Sequence, residues 1–173
     1  MATIISEKLT INGAGSEVVL DGFDFTGNGY VDIKNTDSVI IKNCRIYNMN
    51  LPSTKNYWLH IYNDISVRLI IENNFFGSNP TIDSNKMYNL IEPTAKLKSD
   101  SSISNNYFVS DCCSHNFMSI YGCTDNAVIN INNNIIEMTA AGLRIGIKGE
   151  PVSTINIKNN KVLAINPAYS DVD

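Results

Sequence analysis

The chain has 173 residues, and 43% of them are hydrophobic, which is enough for one domain with its own core. Only 17% are charged, and the net charge is −4, whereas nucleic-acid binding requires a basic surface. We find no apolar run of about 18 residues that would cross a membrane, and residues 1–8 lack the basic and apolar regions of a signal peptide. We therefore expect one domain over residues 1–173, made in a cytoplasm, whose partners are neither nucleic acid nor membrane.

Residues 1–8 are predicted to lead into a first coil with strands at Leu9–Ile11, Val18–Leu20 and Phe23–Phe25. Each later coil is predicted to hold three strands. The first strands are Val31–Lys34, Leu59–Tyr62, Tyr88–Ile91, Met118–Tyr121 and Leu143–Ile147. The second strands are Val39–Lys42, Leu69–Glu72, Ser101–Ser104, Val128–Asn132 and Thr154–Lys158, and third strands follow, as at Arg45–Tyr47 and Tyr107–Val109. Residues 167–173 are predicted to form a tail, and no helical pattern is visible.

A six-residue phrase joins the second and third strands: an apolar residue, any residue, two asparagines, any residue, and an apolar or aromatic residue. Its copies, two of them degenerate, start at residues 20, 41, 71, 103, 131 and 157. The steps between them are 21, 30, 32, 28 and 26 residues. A self-similar period of this size is typical of solenoid proteins.

The paired asparagines indicate a sharp corner between two strands. Asparagine tolerates a left-handed backbone, and its amide carries both donors and acceptors. Corners stacked at about 4.8 Å would let each amide bond to the next and form an asparagine ladder. The predicted ladder positions are Asn43, Cys44, Asn73, Asn74, Asn105, Asn106, Asn133, Asn134, Asn159 and Asn160. The sequence thus predicts an all-β fold, a single-stranded right-handed parallel β-helix of about six coils.

These Ile-x-Asn-Asn-x-Phe corners resemble those of the pectate-lyase-like β-helix superfamily. That superfamily includes secreted polysaccharide lyases and hydrolases as well as bacteriophage tailspike and virion proteins. The resemblance covers residues from about 9 to 166. It implies the fold, and it leaves open whether the chain is a structural virion protein or a module that binds or degrades polysaccharide.

Strand alternation predicts that one set of side chains on the first strands points outward. The resemblance implies that a carbohydrate groove can lie along this sheet, walled by the long loops. Tyrosines would stack on sugar rings, while the other side chains would supply polar contacts. The candidate ligand-binding residues are His60, Tyr62, Asn89, Tyr121 and Arg144. The alternative is a sheet face covered by solvent or by a partner.

The sequence offers three candidate catalytic constellations. Asp83 and Asp111 lie in long loops of adjacent coils, where two carboxyls can support glycoside hydrolysis. The resemblance implies that a lyase would use a basic residue near calcium-binding acids, and Arg144 is the candidate. The segment Cys112–His115 matches no common zinc pattern. All three are weak, so we expect no catalytic residue, no metal and no cofactor.

The four cysteines are Cys44, Cys112, Cys113 and Cys123. Since no secretory signal is visible, free thiols are expected. Cys44 stands at a ladder position, where it is a small buried substitute for asparagine. Whether Cys112 and Cys113 form a disulfide stays open.

A short β-helix exposes two open ends, each a row of unpaired strand edges. We expect neighbouring proteins to cover these ends, or to contact the long loops 48–57, 77–86 and 109–116. Apolar residues at the loop edges are Tyr57, Met49, Leu51, Ile82 and Phe117. The expected function is a structural bacteriophage virion protein, as a capsid decoration or a spike or fibre module. Its partners would be other capsid or tail proteins, and the resemblance implies a homo-oligomer such as a side-by-side trimer. The alternative function would add a cell-surface glycan as partner.

Overall fold

The computed structural model describes residues 2–49, 57–62, 66–77, 89–110, 116–120, 122–138, 145–147 and 153–164. Within these ranges the regular elements are all β-strands, and no helix occurs. The strands form three sheets in which every pair is parallel. The predicted all-β class with parallel sheets is confirmed, and the arrangement is consistent with a parallel β-solenoid.

Strands are numbered in chain order, and consecutive strands fall in different sheets. The first sheet contains β2 (Leu9–Asn12), β5 (Val31–Lys34), β8 (Leu59–Tyr62), β11 (Asn89–Pro93), β14 (Asn116–Ile120) and β17 (Ile145–Ile147). The second contains β3 (Glu17–Asp21), β6 (Ser38–Lys42), β9 (Arg68–Glu72), β12 (Ser102–Ser104), β15 (Val128–Asn132) and β18 (Thr154–Lys158). The third contains β1 (Thr3–Ile5), β4 (Phe23–Gly27), β7 (Arg45–Met49), β10 (Phe75–Gly77), β13 (Tyr107–Ser110), β16 (Ile135–Met138) and β19 (Lys161–Ala164).

The core is built from columns of aliphatic residues, one from each strand of a sheet. In the second sheet the parallel register aligns one inward position from strand to strand. The column contains Leu20, Ile41, Ile71, Ile103 and Ile131, all at most 4% exposed. Burying one such side chain stabilises the fold by about 1.5–3 kcal/mol. The repeated phrase therefore supplies one core residue to every strand of the column.

Aromatic rings fill the core between the first and third sheets. The indole ring of Trp58 is fully buried and meets Phe25 and Phe76 edge-on, with centroid distances of 5.1 and 5.7 Å. Phe76 in turn stacks on Phe108 of the next strand at 4.6 Å. Both geometries are favourable for aromatic pairs. Trp58 thus links the start of β8 to two separate strands of the third sheet.

The first asparagine of each phrase makes the corner between the second and third sheets. Asn43, Asn73, Asn105, Asn133 and Asn159 all have φ between +54° and +57°. This left-handed conformation is unfavourable for most residues with a Cβ, and asparagine is among those that tolerate it best. The phrase therefore requires asparagine here for a backbone reason.

The second asparagine of each phrase points inward and bonds to its counterpart on the next corner. Asn74 Nδ2 donates to Asn106 Oδ1 and Asn106 Nδ2 to Asn134 Oδ1, both at 3.0 Å. Asn134 Nδ2 donates to Asn160 Oδ1 at 2.9 Å. Each amide also donates to a main-chain carbonyl, as Asn106 Nδ2 does to Ile71 O at 2.9 Å. We call these four residues the asparagine column. Their hydrogen bonds satisfy one another's side-chain amides, which would be costly to bury without partners.

Cys44 occupies the same position at the start of this column. Its backbone N–H donates to Asn74 Oδ1 at 2.8 Å, and its thiol contacts Leu20 O at 3.5 Å. Burial raises the pKa of the Cys44 thiol, and a main-chain hydrogen bond from Phe23 opposes that rise. Cys44 and Cys123 are both free and buried. Cys112 and Cys113 lie outside the described residues.

Several details differ from the predictions, and one is the predicted strand Met118–Tyr121, which lies at Asn116–Ile120. The lead-in 1–8 contains a strand, because Thr3–Ile5 pairs with Phe23–Phe25. Met49 is not an exposed loop residue: it is only 2% exposed within β7, where it pairs with Gly27. The predicted strand Tyr88–Ile91 lies at Asn89–Pro93. Loop residues 50–56, 78–88 and 111–115 lie outside the described residues.

Candidate ligand-binding site

A row of polar residues runs along the outer side of the first sheet. Register places Thr10 beside Asp32, Asp32 beside His60, and His60 beside Glu92. Their neighbour Val31 is fully buried, so strand alternation turns this row away from the core. Paired residues on adjacent strands lie about 4.8 Å apart. The row therefore brings the Asp32 carboxylate next to the His60 imidazole, and register aligns Thr10 and Glu92 with them on the flanking strands.

Asp32 is buried although it points away from the core. It is 6% exposed, and Lys8 Nζ lies 3.0 Å from its Oδ2. The Lys8 ammonium also lies 5.6 Å from the centroid of the Tyr30 ring. A buried carboxylate is tolerated when a cation and hydrogen bonds compensate for its lost hydration. Lys8 is about half exposed, so the ammonium side of this ion pair contacts solvent while the carboxylate side is buried.

His60 is held between two tyrosines. It is 8% exposed, and its ring centroid lies 4.4 Å from that of Tyr57 and 3.5 Å from that of Tyr62. The two phenol oxygens are 3.1 Å apart, within hydrogen-bond distance. Tyr62 itself is 41% exposed. The imidazole is thus covered, while one face of the cluster, at Tyr62, remains open to solvent.

An open cleft of about 370 Å³ lies next to this cluster. Its lining consists of Thr10, Asp32, Lys34, Asn35 and Tyr62. These side chains offer a carboxylate, an ammonium group, an amide and two hydroxyls, together with one aromatic ring. A cleft of this chemistry suits a polar, uncharged or weakly charged molecule that can hydrogen-bond on its edge and stack on its face.

Among the predicted ligand-binding residues, the structure places His60 and Tyr62 in contact. It does not place Asn89 beside them, because β11 pairs with β8 through Ile91 and Leu59, which puts Glu92 next to His60. The side chain of Asn89 is not described. Four other candidates, Tyr121, Arg144, Asp83 and Asp111, lie outside the described residues.

The sequence interpretation missed Lys8 and Asn35 as parts of this site. Lys8 was assigned to the lead-in, and nothing in its local sequence indicates that it reaches Asp32 on the second coil. Asn35 has a φ of +51°, and its Nδ2 donates to Asn12 Oδ1 at 3.2 Å. Asn35 follows β5 directly, and an asparagine at the end of a first-sheet strand is the signal that would have revealed this second corner.

The third sheet presents another outward surface with aromatic rings. Phe75 and Tyr107 lie on adjacent strands with centroids 5.7 Å apart. A hydrogen bond to Glu137, followed by desolvation and the charge of that carboxylate, raises the pKa of the Tyr107 phenol. The guanidinium of Arg45 lies 5.0 Å from the Tyr47 ring centroid. These contacts pair the aromatic and charged side chains of the third sheet with one another.

No protein-family model, curated protein or solved structure matches the chain. The described part of the chain holds no group of three or more His, Cys, Asp or Glu side chains placed to bind a metal ion. It also contains no helical segment whose length and hydropathy would let it cross a lipid bilayer.

Proposed function

We propose that this chain is a structural β-helix module of a larger assembly, a bacteriophage virion protein that decorates a capsid or belongs to a spike or fibre. The observation that carries the proposal is at the last strands of the stack. Ile157 on β18 is 57% exposed and Val162 on β19 is 51% exposed, at positions that the preceding strands bury. Exposed apolar surface costs about 25 cal/mol per Å², and a partner that covers it recovers this free energy.

The same proposal includes the finer features of the fold. We infer a single right-handed β-helix domain of about six coils, since crossover connections between parallel strands are right-handed in about 98% of cases. The hydrogen bonds from Asn74 through Asn160 support an asparagine ladder that holds the corners in register. The resemblance to tailspike and virion β-helices supports the virion location and a side-by-side homo-oligomer such as a trimer.

Fractionation of particles tests this function. A lysate of the source cells, after phage induction, is sedimented in a density gradient, and the chain is detected with an antibody. We expect the 19.1-kDa chain to sediment with DNA-containing particles and to remain bound after washing at high salt. Recovery only at the mass of a free monomer or small oligomer would contradict the proposal.

The cleft favours a second candidate, a module that binds polysaccharide at the cell surface. Tyr62 is exposed beside the Asp32–Lys8 pair, which fits stacking and hydrogen bonding to a sugar. If this function holds, Tyr62→Ala should lower affinity in a glycan-array or calorimetric assay by at least about tenfold, or about 1.4 kcal/mol. Val19→Ala changes an exposed residue on the second sheet and is the matched control. Turnover of an acidic polysaccharide that disappears in Asp83→Asn or Asp111→Asn would favour a degrading enzyme instead.

A further inference from the structure

The end of the stack formed by β17, β18 and β19 has unpaired strand edges. Within the described residues each of these strands has a neighbour on one side only. At this edge Ile157 and Val162 are more than half exposed, whereas Ile131 and Ile136, one strand earlier, are each 4% exposed. Edges of this kind pair readily with a further strand.

The hydrogen bonds of the asparagine column have a direction. The backbone N–H and one Nδ2 hydrogen of each asparagine donate to the Oδ1 of the next asparagine along the chain, as Asn134 does to Asn160 at 2.9 Å. Asn160 accepts both bonds, and its Nδ2 donates to Ile131 O at 2.7 Å. Within the described residues its backbone N–H bonds to no acceptor. The column therefore ends in a donor, and a matching partner must supply an acceptor.

A second copy of the chain does not complement this end. At the opposite end the core positions Leu20 and Phe25 are already 4% and 0% exposed, and the residue that would continue the column is Phe23, which has no acceptor side chain. Two copies joined through their Asn160 ends would oppose donor to donor. They would also bring together Lys158 and Lys161, both exposed on the last strands.

We propose that the β17–β19 end binds a strand–corner–strand segment of a different protein, added in parallel as one more coil. Apolar residues of the segment would cover Ile157 and Val162, and an asparagine or aspartate oxygen at its corner would accept from Asn160. Aspartate is favoured by the charges of Lys158 and Lys161. This inference rests on the proposed structural function and specifies its partner.

A peptide added in trans tests the inference on the full chain. The probe is a fluorescently labelled peptide with the sequence of residues 127–138, which contains two strands and the corner asparagines. Binding is followed by fluorescence anisotropy, and hydrogen exchange at the Asn160 amide is followed by NMR. We expect saturable binding that slows exchange at Asn160. An aspartate at the peptide position of Asn134 should retain or strengthen binding, while leucine there should weaken it at least about tenfold.

Matched variants of the full chain locate the binding. Ile157→Glu should weaken binding at least about tenfold, whereas Ile4→Glu changes a similarly exposed isoleucine on β1 and should leave binding unchanged. Absence of binding, or equal binding by Ile157→Glu or by the leucine peptide, would overturn the inference. So would an Asn160 amide already protected in the free chain, since residues 165–173 would then occupy the end. Particle fractionation is independent of these results, so the proposed function and this interface fail separately.

Discussion

Ile131 and Ile157 occupy the same place in the repeated phrase on neighbouring strands, yet one is 4% exposed and the other 57%. The interior strands are covered on both sides, while β18 is covered only by β15 among the described strands. Both copies of the phrase begin with isoleucine, carry the two asparagines and end in an aliphatic residue. The difference teaches that a phrase isoleucine is buried only when another strand stacks on its own strand. The type of residue is secondary.

The largest expected difference is in core truncation. Ile71→Ala should lower the free energy of unfolding by about 2–5 kcal/mol, because it opens a cavity in a column that is buried on both sides. Ile157→Ala should lower it by less than about 1 kcal/mol, since the side chain is already half in water. Urea unfolding followed by circular dichroism gives both values. Equal losses would mean that the β18 edge is covered in solution.

A smaller difference is expected along the asparagine column. Asn106→Ala removes the acceptor for Asn74 and the donor to Ile71 O, and these buried groups would cost about 1–3 kcal/mol when unpaired. Asn160→Ala removes the same types of bond, but at the open end where water can replace them. We expect less than half the loss there. Thermal unfolding of both variants checks this, and an equal loss would contradict the comparison.

Thiol reactivity compares the buried start of the asparagine column with the open β17–β19 end. Burial raises the pKa of Cys44, which is 1% exposed, so its thiolate is scarce and shielded. A Val162→Cys thiol at the open end should react with iodoacetamide at pH 8 at least about tenfold faster than Cys44. Peptide mapping by mass spectrometry separates the sites, and labelling in urea should equalise them. Comparable rates in the native protein would indicate that position 162 is as shielded in solution as Cys44.

The smallest effect concerns the hydrogen bond between the Asn43 amide and the Asp21 carboxylate. A hydrogen bond from Asn43 Nδ2 at 2.8 Å, assisted by the charge of Lys42, lowers the pKa of Asp21. A lowered folded-state pKa stabilises the protein above the unfolded-state pKa of Asp21, and this contribution is lost as the pH falls through the folded-state value. Asn43→Gly preserves the left-handed corner and should raise the pKa of Asp21. NMR titration measures the shift, and an unchanged pKa would show that the bond is absent in solution.

Local sequence was sufficient for the corners and for most of the second sheet. The Asn–Asn pairs mark left-handed positions at Asn73, Asn105 and Asn133 because the backbone there tolerates few other residues. The strand Val128–Asn132 was predicted with the observed bounds, since Ile129 and Ile131 alternate with Asn130 and Asn132. The first-sheet strand near Ile91 was misplaced, because Leu90 and Ile91 are adjacent apolar residues and alternation cannot choose between them. Pairing with β8 makes that choice.

What the sequence determined by itself is the repeat, the corners and the inward positions, because each depends on the backbone preference or polarity of a few neighbouring residues. Only the tertiary structure decided that Asp32 and His60, which alternation turns outward, are buried under Lys8 and Tyr57. It also decided that Ile157 is exposed, although its phrase is a full copy of those in the interior. The burial of Asp32 depends on a contact with Lys8, which lies more than 20 positions away, and the exposure of Ile157 depends on the number of strands stacked above it. No local pattern encodes either of these.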